Sequence, residues 1–268
     1  MNRIEILSYL NRIGAEEPAA RDEGTLDRLI VSHLQAVPFE NLDVVEFGLI
    51  PDLQEEKLYE KIVTRKRGGY CFELNSLFQA LLKGLGYTVY PVGVRVVWNR
   101  DFIPPLSHMG LVAELNGAKY YCDVGFGGPG PKGLLRLEPS EQDVNGDAFR
   151  VRAAEDGDCL VERNHHGAWK AVLRFTDRPV RMADFQLMNF YCARSEAVLF
   201  SRTRVLNLCT PRGSKALTGL ELVVREDGKE RRTVYNNQTE LEEGIEREFG
   251  IRVPLSTDRE EQADDSKV

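Results

Sequence analysis

The sequence lacks any apolar run that approaches the ~20 residues needed to cross a membrane, which excludes a helical membrane protein. Its N-terminus, MNRIEILSYLNRIG, alternates charged residues with Ile and Leu. It therefore has no continuous apolar segment of the kind that precedes the cleavage site of a secretory signal. We expect a cytoplasmic protein with no membrane partner.

Cysteine is scarce and scattered. The five residues are Cys71, Cys122, Cys159, Cys192 and Cys209. This odd set contains no CxxC pair, so it fits neither a disulfide framework nor a structural zinc site. We expect free thiols and no metal site.

Positive charge is also limited, because 35 Lys and Arg are outnumbered by 42 Asp and Glu, giving a net charge of −7. Without a clustered basic face, the chain is not expected to bind nucleic acid. The basic triplet Arg65, Lys66 and Arg67 ends a predicted helix, where cations complement the helix dipole. The 268 residues allow one large domain or two to three small ones packed together.

The first third of the chain contains apolar residues at helical spacing. The pattern predicts four helices, over residues 4–13, 25–37, 53–66 and 71–85. Thr25 is the expected N-cap of the second, and Gly14 ends the first. This part of the chain is predicted to be a helical domain.

After Gly86 the apolar period changes to two, which predicts a β-rich middle region. The predicted strands cover residues 88–98, 109–115, 118–126, 148–153, 158–163 and 168–175. Asn116-Gly117 is a strong hairpin signal. A mixed segment follows from Met182, with a second hairpin at Asp227-Gly228 and a last helix that ends before Gly250. The acidic tail from Ser256 is predicted to be disordered.

Cys71 lies in RKRGGYCFELN, where two glycines end and a helix begins. At that place the sulfur would face unpaired backbone N–H groups and the positive end of the helix dipole. Both favour the thiolate and are expected to lower a pKa that is ordinarily about 8.5. The alternative is a buried, inert cysteine.

A thiol nucleophile needs a base, and the chain has only four histidines. His33 lies on the apolar side of a helix, where a hydrogen-bonded packing role is expected. His165 and His166 occupy a predicted exposed turn. His108 is left as the candidate.

The hairpin gives His108 a partner. If Asn116-Gly117 forms the turn, Gly110 faces Asp123, and His108 and Asp123 lie on the same face of adjacent strands. Diagonal neighbours of this kind have backbones about 7 to 8 Å apart, which an imidazole and a carboxylate can bridge. An aspartate in contact with a histidine fixes its tautomer and stabilises the imidazolium. The alternative is two ordinary polar residues in a hairpin.

The stretch GFGGPGPKG, residues 125–133, directly follows Asp123. It lacks the GK[ST] of a Walker loop and contains no GxGxxG, so it is a weak phosphate motif. Two readings stay open: a tight turn, or a close backbone approach to a pyrophosphate-bearing substrate.

With these motifs in view, the chain resembles the arylamine N-acetyltransferases. The resemblance rests on VPFENLDV, RGGYCFELN, SHMGLV, DVGFGG and, more weakly, NFYCARSEAVLF, which together spread over about three quarters of the chain in the family's order. It implies an α+β fold with a cysteine-protease-like core. Its three parts would be a helical bundle over 1–86 that carries the nucleophile, a β-barrel over 87–190 that carries His and Asp, and an α/β lid over 191–268.

The resemblance also implies residue roles. Cys71 would take the acetyl group from acetyl-CoA, with His108 as its base and Asp123 as the orienting carboxylate, and an arylamine or hydrazine would then leave acetylated in a ping-pong scheme. Acetyl-CoA would be a co-substrate, and no cofactor would be permanently bound. Residues matching CoA-binding positions are Ser107, Gly127 and Gly128. Residues matching the acceptor pocket or its cleft are Phe39, Val96, Phe126 and Phe200.

The last block departs from the family pattern, because Glu196 stands where a proline is common and Val198 where a serine is common. The departure concerns the shape of the lid and its contacts with CoA or the acceptor. Lys132, Arg212 and Lys215 are candidates for the positive charge that CoA phosphates require.

Three other functions are compatible with the same residues. One is an amide synthase that joins a carrier-bound acyl thioester to an aromatic amine. Another is a cysteine hydrolase or transglutaminase-like enzyme, since the same triad serves peptide and amide bonds. A third is a non-catalytic protein that binds xenobiotics.

Overall fold

The computed structural model describes residues 1–255. The tail from Ser256, for which the sequence predicts disorder, lies outside the described residues. Within residues 1–255, no helix is both long and apolar enough to cross a bilayer.

The first two predicted helices form. Helix α1, Arg3–Arg12, begins with a capping box between Asn2 and Glu5, and Gly14 follows it with a φ of 66°. Helix α2, Glu23–Ala36, begins at Asp22, whose carboxylate accepts a hydrogen bond from the Thr25 backbone N–H. The prediction of Thr25 as the N-cap was therefore wrong, because an aspartate three residues earlier caps the helix.

The predicted third helix changes its winding halfway. Its first part is the α-helix α4, Glu55–Tyr59, and it continues as a π-helical segment, Glu60–Thr64. A short helix α3, Leu42–Val45, precedes it. The wider π-helical segment contains Lys61, which is buried and faces three carboxylates. Sequence spacing predicts the helix but not this change of winding.

Helix α5, Cys71–Gly84, is the predicted fourth helix. Nearly every residue of this helix is buried. Its N-terminus is fixed by Glu73, whose Oε2 accepts a hydrogen bond from the Tyr70 backbone N–H at 3.0 Å. Helix α5 therefore places its first residue, Cys71, inside the molecule.

The middle of the chain forms an eight-stranded antiparallel sheet. Its strands are β2 Thr88–Val96, β3 His108–Leu115, β4 Ala118–Cys122, β5 Leu135–Arg136, β6 Glu141–Val144, β7 Asp147–Ala153, β8 Cys159–His165 and β9 Ala168–Phe175. Their order is β5-β4-β3-β2-β9-β8-β7-β6. The two edge strands meet through Gln142, whose side chain accepts from the Arg136 backbone N–H at 2.9 Å and donates to its carbonyl at 2.8 Å. The sheet is therefore barrel-like and nearly closed.

The predicted hairpin between β3 and β4 forms with the predicted register. Asn116 and Gly117 have φ angles of 51° and 82°, the left-handed geometry of a tight hairpin turn. Leu111 is paired with Cys122, so the strand ends bring His108 and Asp123 to the same edge of the hairpin. On its other side His108 is paired with Val94 of β2.

The last part of the chain begins with helix α6, Met182–Arg194. It continues with strands β10 Val205–Thr210, β11 Gly213–Thr218, β12 Glu221–Glu226, β13 Lys229–Val234 and helix α7 Gln238–Phe249. The four strands extend a second sheet that starts at β1, Phe39–Glu40, in the order β1-β10-β11-β12-β13. Strand β1 therefore joins the N-terminal helices to the C-terminal sheet. Helix α6 runs across residue 190, where a boundary was predicted, and the three-part division stays a prediction.

Candidate active site

Cys71 is the first residue of α5 and only 2% exposed. The backbone N–H groups of Met109 and Phe72 favour the thiolate form of Cys71. Burial acts in the opposite direction and is the larger effect, so the pKa of the Cys71 thiol is raised well above its usual value. The expected lowering of this pKa was therefore wrong. A thiolate at this place requires a neighbouring group that takes up the proton.

His108 and Asp123 form the predicted contact. His108 Nε2 is 2.6 Å from Asp123 Oδ2, and both side chains are buried. This hydrogen bond engages Nε2 and leaves Nδ1 as the ring nitrogen that can exchange a proton with another group. Both Cys71 and His108 line one cavity, which places the thiol and the imidazole in the same site.

Asp123 stays ionised because donors surround it. Its carboxylate accepts hydrogen bonds from Tyr121 Oη at 2.7 Å, from Asn75 Nδ2 at 2.9 Å and from the Gly125 backbone N–H at 2.9 Å. Burial alone would raise the pKa of Asp123, but His108 and these donors hold the pKa below its usual value. A buried anion of this kind can stabilise a cationic His108.

Asn75 is a site residue that the sequence analysis missed. Its Nδ2 donates to Asp123 and to the Met109 carbonyl, the latter at 2.7 Å, and its Oδ1 accepts from the Val124 backbone N–H at 3.0 Å. Asn75 thus ties the helix of Cys71 to both strands of the hairpin. Its position four residues after Cys71, on the same helix face, was the available signal.

Gly125 allows the loop after Asp123 to lie against α5. A Cβ atom at this position would be 2.7 Å from the Cα atom of Cys71 and 2.8 Å from Nδ2 of Asn75. Neither neighbour is the free end of a flexible chain, so a larger residue would displace the loop from the site. At Gly125 the backbone thus approaches the helix of Cys71 closely, and the approach of this loop to a pyrophosphate-bearing substrate stays a prediction.

A cavity of about 540 Å³ opens in front of Cys71 and His108. All seven residues predicted to contact CoA or the acceptor line it: Phe39, Val96, Ser107, Phe126, Gly127, Gly128 and Phe200. Aromatic rings form much of the wall, with centroids 5.3 Å apart for Phe39 and Phe200 and 5.2 Å apart for His108 and Phe126. Such a wall suits a flat apolar ligand.

The loop 97–107 adds lining residues that the sequence analysis missed: Trp98, Arg100, Phe102, Pro104 and Pro105. The divergent block also reaches the cavity, because Ala197, Val198 and Leu199 line it beside Phe200. The departure from the family pattern at Val198 therefore changes the cavity wall itself.

A second cavity of about 610 Å³ shares the wall formed by Gly127, Gly128 and neighbouring residues. It is lined by the cationic side chains of Lys132, Arg163 and Arg225, of which Arg163 is paired with Asp147 and Arg225 with Glu230. Of the three predicted phosphate contacts, Lys132 lines this cavity and has no ion pair with another described residue. The other two are engaged elsewhere: Arg212 lies 3.1 Å from Asp227 and Lys215 lies 3.0 Å from Glu248.

The remaining histidines lie outside the active-site cavity. His33 is fully buried between Tyr9 and Phe78, and neither ring nitrogen has a hydrogen-bond partner among the described residues. The predicted packing is confirmed, but the predicted hydrogen bond was wrong. Burial, with a smaller contribution from Arg12, lowers the pKa of His33 to about 3. His165 packs against the Trp98 ring and is half-buried, whereas the adjacent His166 is exposed as predicted.

Behind the start of α5 lies a buried ion cluster, which also corrects the prediction for Arg67. Arg67 contacts Glu40 at 2.7 Å and Asp43 at 2.8 Å, so it does not simply complement a helix dipole. Lys61 lies 2.7 Å from both Asp43 and Glu73. Three carboxylates thus face two cations, and burial together with the neighbouring carboxylates raises the pKa of Glu73 to about 7.

The chain is similar to known proteins over most of its length. The family model described as N-acetyltransferase matches residues 23–258. The arylamine N-acetyltransferase of Mycolicibacterium smegmatis is 30% identical over 266 residues, covering 97% of this chain and 96% of that protein. A relative from Amycolatopsis mediterranei named proansamycin X synthase is 33% identical, covering 69% of this chain and 73% of its own length.

A solved structure shows the same fold. The Mycobacterium marinum arylamine N-acetyltransferase in complex with CoA superposes with a TM-score of 0.84 at 27% identity, covering 92% of each chain. The chain belongs to the arylamine N-acetyltransferase family and is an acyl-CoA-dependent N-acyltransferase.

Proposed function

We propose that the chain moves an acetyl group from acetyl-CoA to an arylamine or hydrazine through an acetyl-Cys71 thioester, in a ping-pong sequence. The observation that carries this proposal is the His108–Asp123 contact of 2.6 Å beside Cys71 in an aromatic cavity. The proposal keeps the cysteine-protease-like arrangement of nucleophile, base and orienting carboxylate.

In the first half-reaction, His108 takes the proton of the Cys71 thiol, and Asp123 stabilises the resulting imidazolium. The sulfur attacks the carbonyl carbon of acetyl-CoA, and the thioester bond to CoA breaks. His108 returns its proton to the leaving CoA thiolate. The Met109 and Phe72 N–H groups, which favour the Cys71 thiolate, are candidate donors to the transient oxyanion.

In the second half-reaction, an aromatic amine occupies the space that CoA has left. Such an amine is weakly basic and therefore unprotonated and nucleophilic at neutral pH. It attacks the acetyl carbon, His108 accepts the amine proton, and the Cys71 sulfur leaves with that proton. Phe39, Phe126 and Phe200 would hold the ring, with Val96 completing the apolar wall.

The two adjoining cavities suggest how acetyl-CoA is held. Its acetyl end must reach Cys71 in the first cavity, while the second cavity offers Lys132, which has no ion pair with another described residue, to phosphate groups. Gly127 and Gly128 lie on the wall between them, where their backbone can approach a pantetheine or pyrophosphate. Of the proposed lid, the described residues 191–255 would cover this site, and the reaction would take place in the cytoplasm.

The family relation to a proansamycin X synthase favours a second candidate donor. A carrier-bound acyl thioester presents the same reacting group to Cys71, and an aromatic amine would again be the acceptor. The steps at Cys71, His108 and Asp123 would be unchanged, so the two candidates differ only in the donor.

The test is the intact mass of the protein after brief exposure to acetyl-CoA alone. We expect a gain of about 42 Da, one acetyl group, which is lost when an aromatic amine is added. The Cys71→Ala variant should gain nothing, while Cys159→Ala, which changes a cysteine outside the cavity, should behave as the wild type. An unmodified wild type would reject acetyl-CoA as donor, and turnover by Cys71→Ala would reject the covalent mechanism.

A further inference from the structure

The active-site cavity contains a second thiol that acetyl transfer does not use. Cys192, in α6, is fully buried and lines the same cavity as Cys71. The other three cysteines lie elsewhere: Cys122 at the end of β4, Cys159 at the start of β8 and Cys209 on β10. Two of the five thiols thus share one small space.

Both thiols contact one short stretch of chain at the start of β3. The Cys192 thiol donates to the Ser107 carbonyl oxygen, with the sulfur 3.3 Å away. The backbone N–H group of Met109, two residues further along, favours the thiolate form of Cys71. His108 lies between these two contacts in sequence. The two sulfurs are therefore brought to the same part of the cavity by one backbone segment.

The electrostatics agree with this proximity. Burial raises the pKa of the Cys71 thiol the most, and Cys192 has the second largest raising effect. Charges influence one another strongly only at short separation, even in a low-dielectric interior. Tyr70 precedes Cys71 in the chain. Burial and Glu73 raise the pKa of Tyr70, and the sulfurs of Cys71 and Cys192 raise it further.

We propose that Cys192 is a resolving cysteine that captures an oxidised Cys71 as a Cys71–Cys192 disulfide. The nucleophile of a transferase is also the sulfur most open to oxidation, because the thiolate is the reactive form. A second thiol in the same cavity can intercept the first oxidation product before further oxygen is added. Cys71 would then be protected from irreversible oxidation, at the expense of temporary inactivation.

The chemistry balances with a peroxide as oxidant. The Cys71 thiolate attacks one peroxide oxygen, the O–O bond breaks, and the departing hydroxide takes a proton from His108 to give water and a Cys71 sulfenic acid. Cys192 then loses its proton to His108, and its sulfur attacks the Cys71 sulfur. The S–S bond forms, and hydroxide leaves and takes up the proton as water. Overall, two thiols and one hydrogen peroxide give one disulfide and two waters.

The test uses hydrogen peroxide on the reduced, desalted full-length chain, with mass as the readout. We expect the wild type to lose about 2 Da, the two hydrogens removed by a disulfide, and to yield a crosslinked peptide pair containing Cys71 and Cys192. Dithiothreitol should restore the original mass and the ability of Cys71 to be alkylated. Because mass is measured, the outcome does not depend on which acyl donor the chain uses.

The Cys192→Ala variant should behave differently. Without the second thiol, Cys71 should gain about 16 to 48 Da of oxygen. The fraction of Cys71 that dithiothreitol cannot recover should grow at least about tenfold faster than in the wild type. Cys159→Ala is the matched control and should follow the wild type. Cys192→Ser serves as a second variant if alanine disturbs the packing of α6.

Three outcomes would overturn the proposal. In the first, the wild type gains oxygen on Cys71 at every time point without the 2 Da loss, which would show that Cys192 does not capture the oxidised Cys71 sulfur. In the second, the crosslink joins cysteines other than Cys71 and Cys192. In the third, dithiothreitol recovers the same fraction of Cys71 in Cys192→Ala as in the wild type.

Discussion

The helical region and the barrel-like sheet each bury one histidine, but the two rings differ in whether a carboxylate lies beside them. His33 of α2 is packed against Tyr9 and Phe78 with no hydrogen-bond partner among the described residues. His108 of β3 is equally buried but lies 2.6 Å from the carboxylate of Asp123. A desolvated imidazole without an anion stays neutral, whereas one with a buried carboxylate can accept a proton.

A third buried basic group extends the comparison. Lys61 lies in the helical region, as His33 does, yet it faces Glu73, Glu40 and Asp43. Burial opposes its charge, but these carboxylates raise the pKa of Lys61 above its usual value. The difference between His33 and His108 is therefore not a property of helices and sheets. It depends on whether a carboxylate is buried beside the base.

The largest expected effect comes from removing that carboxylate from His108. In Asp123→Asn, the imidazolium loses its counter-ion and the ring loses the acceptor that fixes its tautomer. We expect kcat/KM for acetyl transfer to an aromatic amine to fall about 10³- to 10⁴-fold. Alkylation of Cys71 by iodoacetamide at neutral pH should slow as well, because less thiolate forms.

Asp177→Asn is the control for that experiment. Asp177 also accepts hydrogen bonds, from Tyr90 and Lys119, but lies away from the cavity. Its replacement should leave kcat/KM within about threefold of the wild type. If Asp123→Asn also stays within that range, the carboxylate is not what distinguishes His108 from His33.

The next largest effect is expected at Lys61. Lys61→Met leaves the buried carboxylates of Glu40 and Glu73 and the half-buried carboxylate of Asp43 with Arg67 as the remaining cation of this cluster. The loss should lower the free energy of unfolding by about 3 to 5 kcal/mol at pH 8. Chemical denaturation measures the change. Lys83→Met, an exposed lysine on α5, should change it by less than about 0.5 kcal/mol. A loss below 1 kcal/mol at Lys61 would mean that the cluster does not need this cation.

The smallest effect concerns His33 and pH. In the unfolded chain this ring takes a proton near pH 6.5, but in the folded protein it stays neutral down to about pH 3. Between these values the unfolded state binds more protons, so stability falls as the pH falls. From pH 7 to pH 5 the wild type should lose about 2 kcal/mol through His33.

His33→Leu should remove that loss while leaving acetyl transfer unchanged. The unfolding free energies of both proteins would be measured at pH 7 and pH 5 by denaturant titration. His166→Asn is the control, because an exposed histidine should not alter the difference between the two pH values. An equal pH dependence in wild type and His33→Leu would show that His33 is protonated in the folded state.

Much of the fold follows from local patterns in the sequence. Helical spacing predicts α1, α2 and α5, because amphipathic periodicity is a property of neighbouring residues. Asn116-Gly117 predicts the hairpin, since a tight turn that needs two left-handed residues selects these types. The hairpin register in turn predicts the contact between His108 and Asp123. The cavity residues were predicted from the resemblance to a known family, because local patterns alone do not assign them.

Helices α1, α2 and α5, the hairpin and the pairing of His108 with Asp123 thus follow from the amino-acid order, since each depends on residues close together in the chain. The burial of charged and reactive groups depends instead on how distant segments pack. The raised pKa of Cys71, the partners of Arg67, the unpaired ring of His33 and the place of Cys192 beside Cys71 all depend on contacts between distant segments. Desolvation is set by the whole surrounding packing, so no short stretch of sequence reveals it.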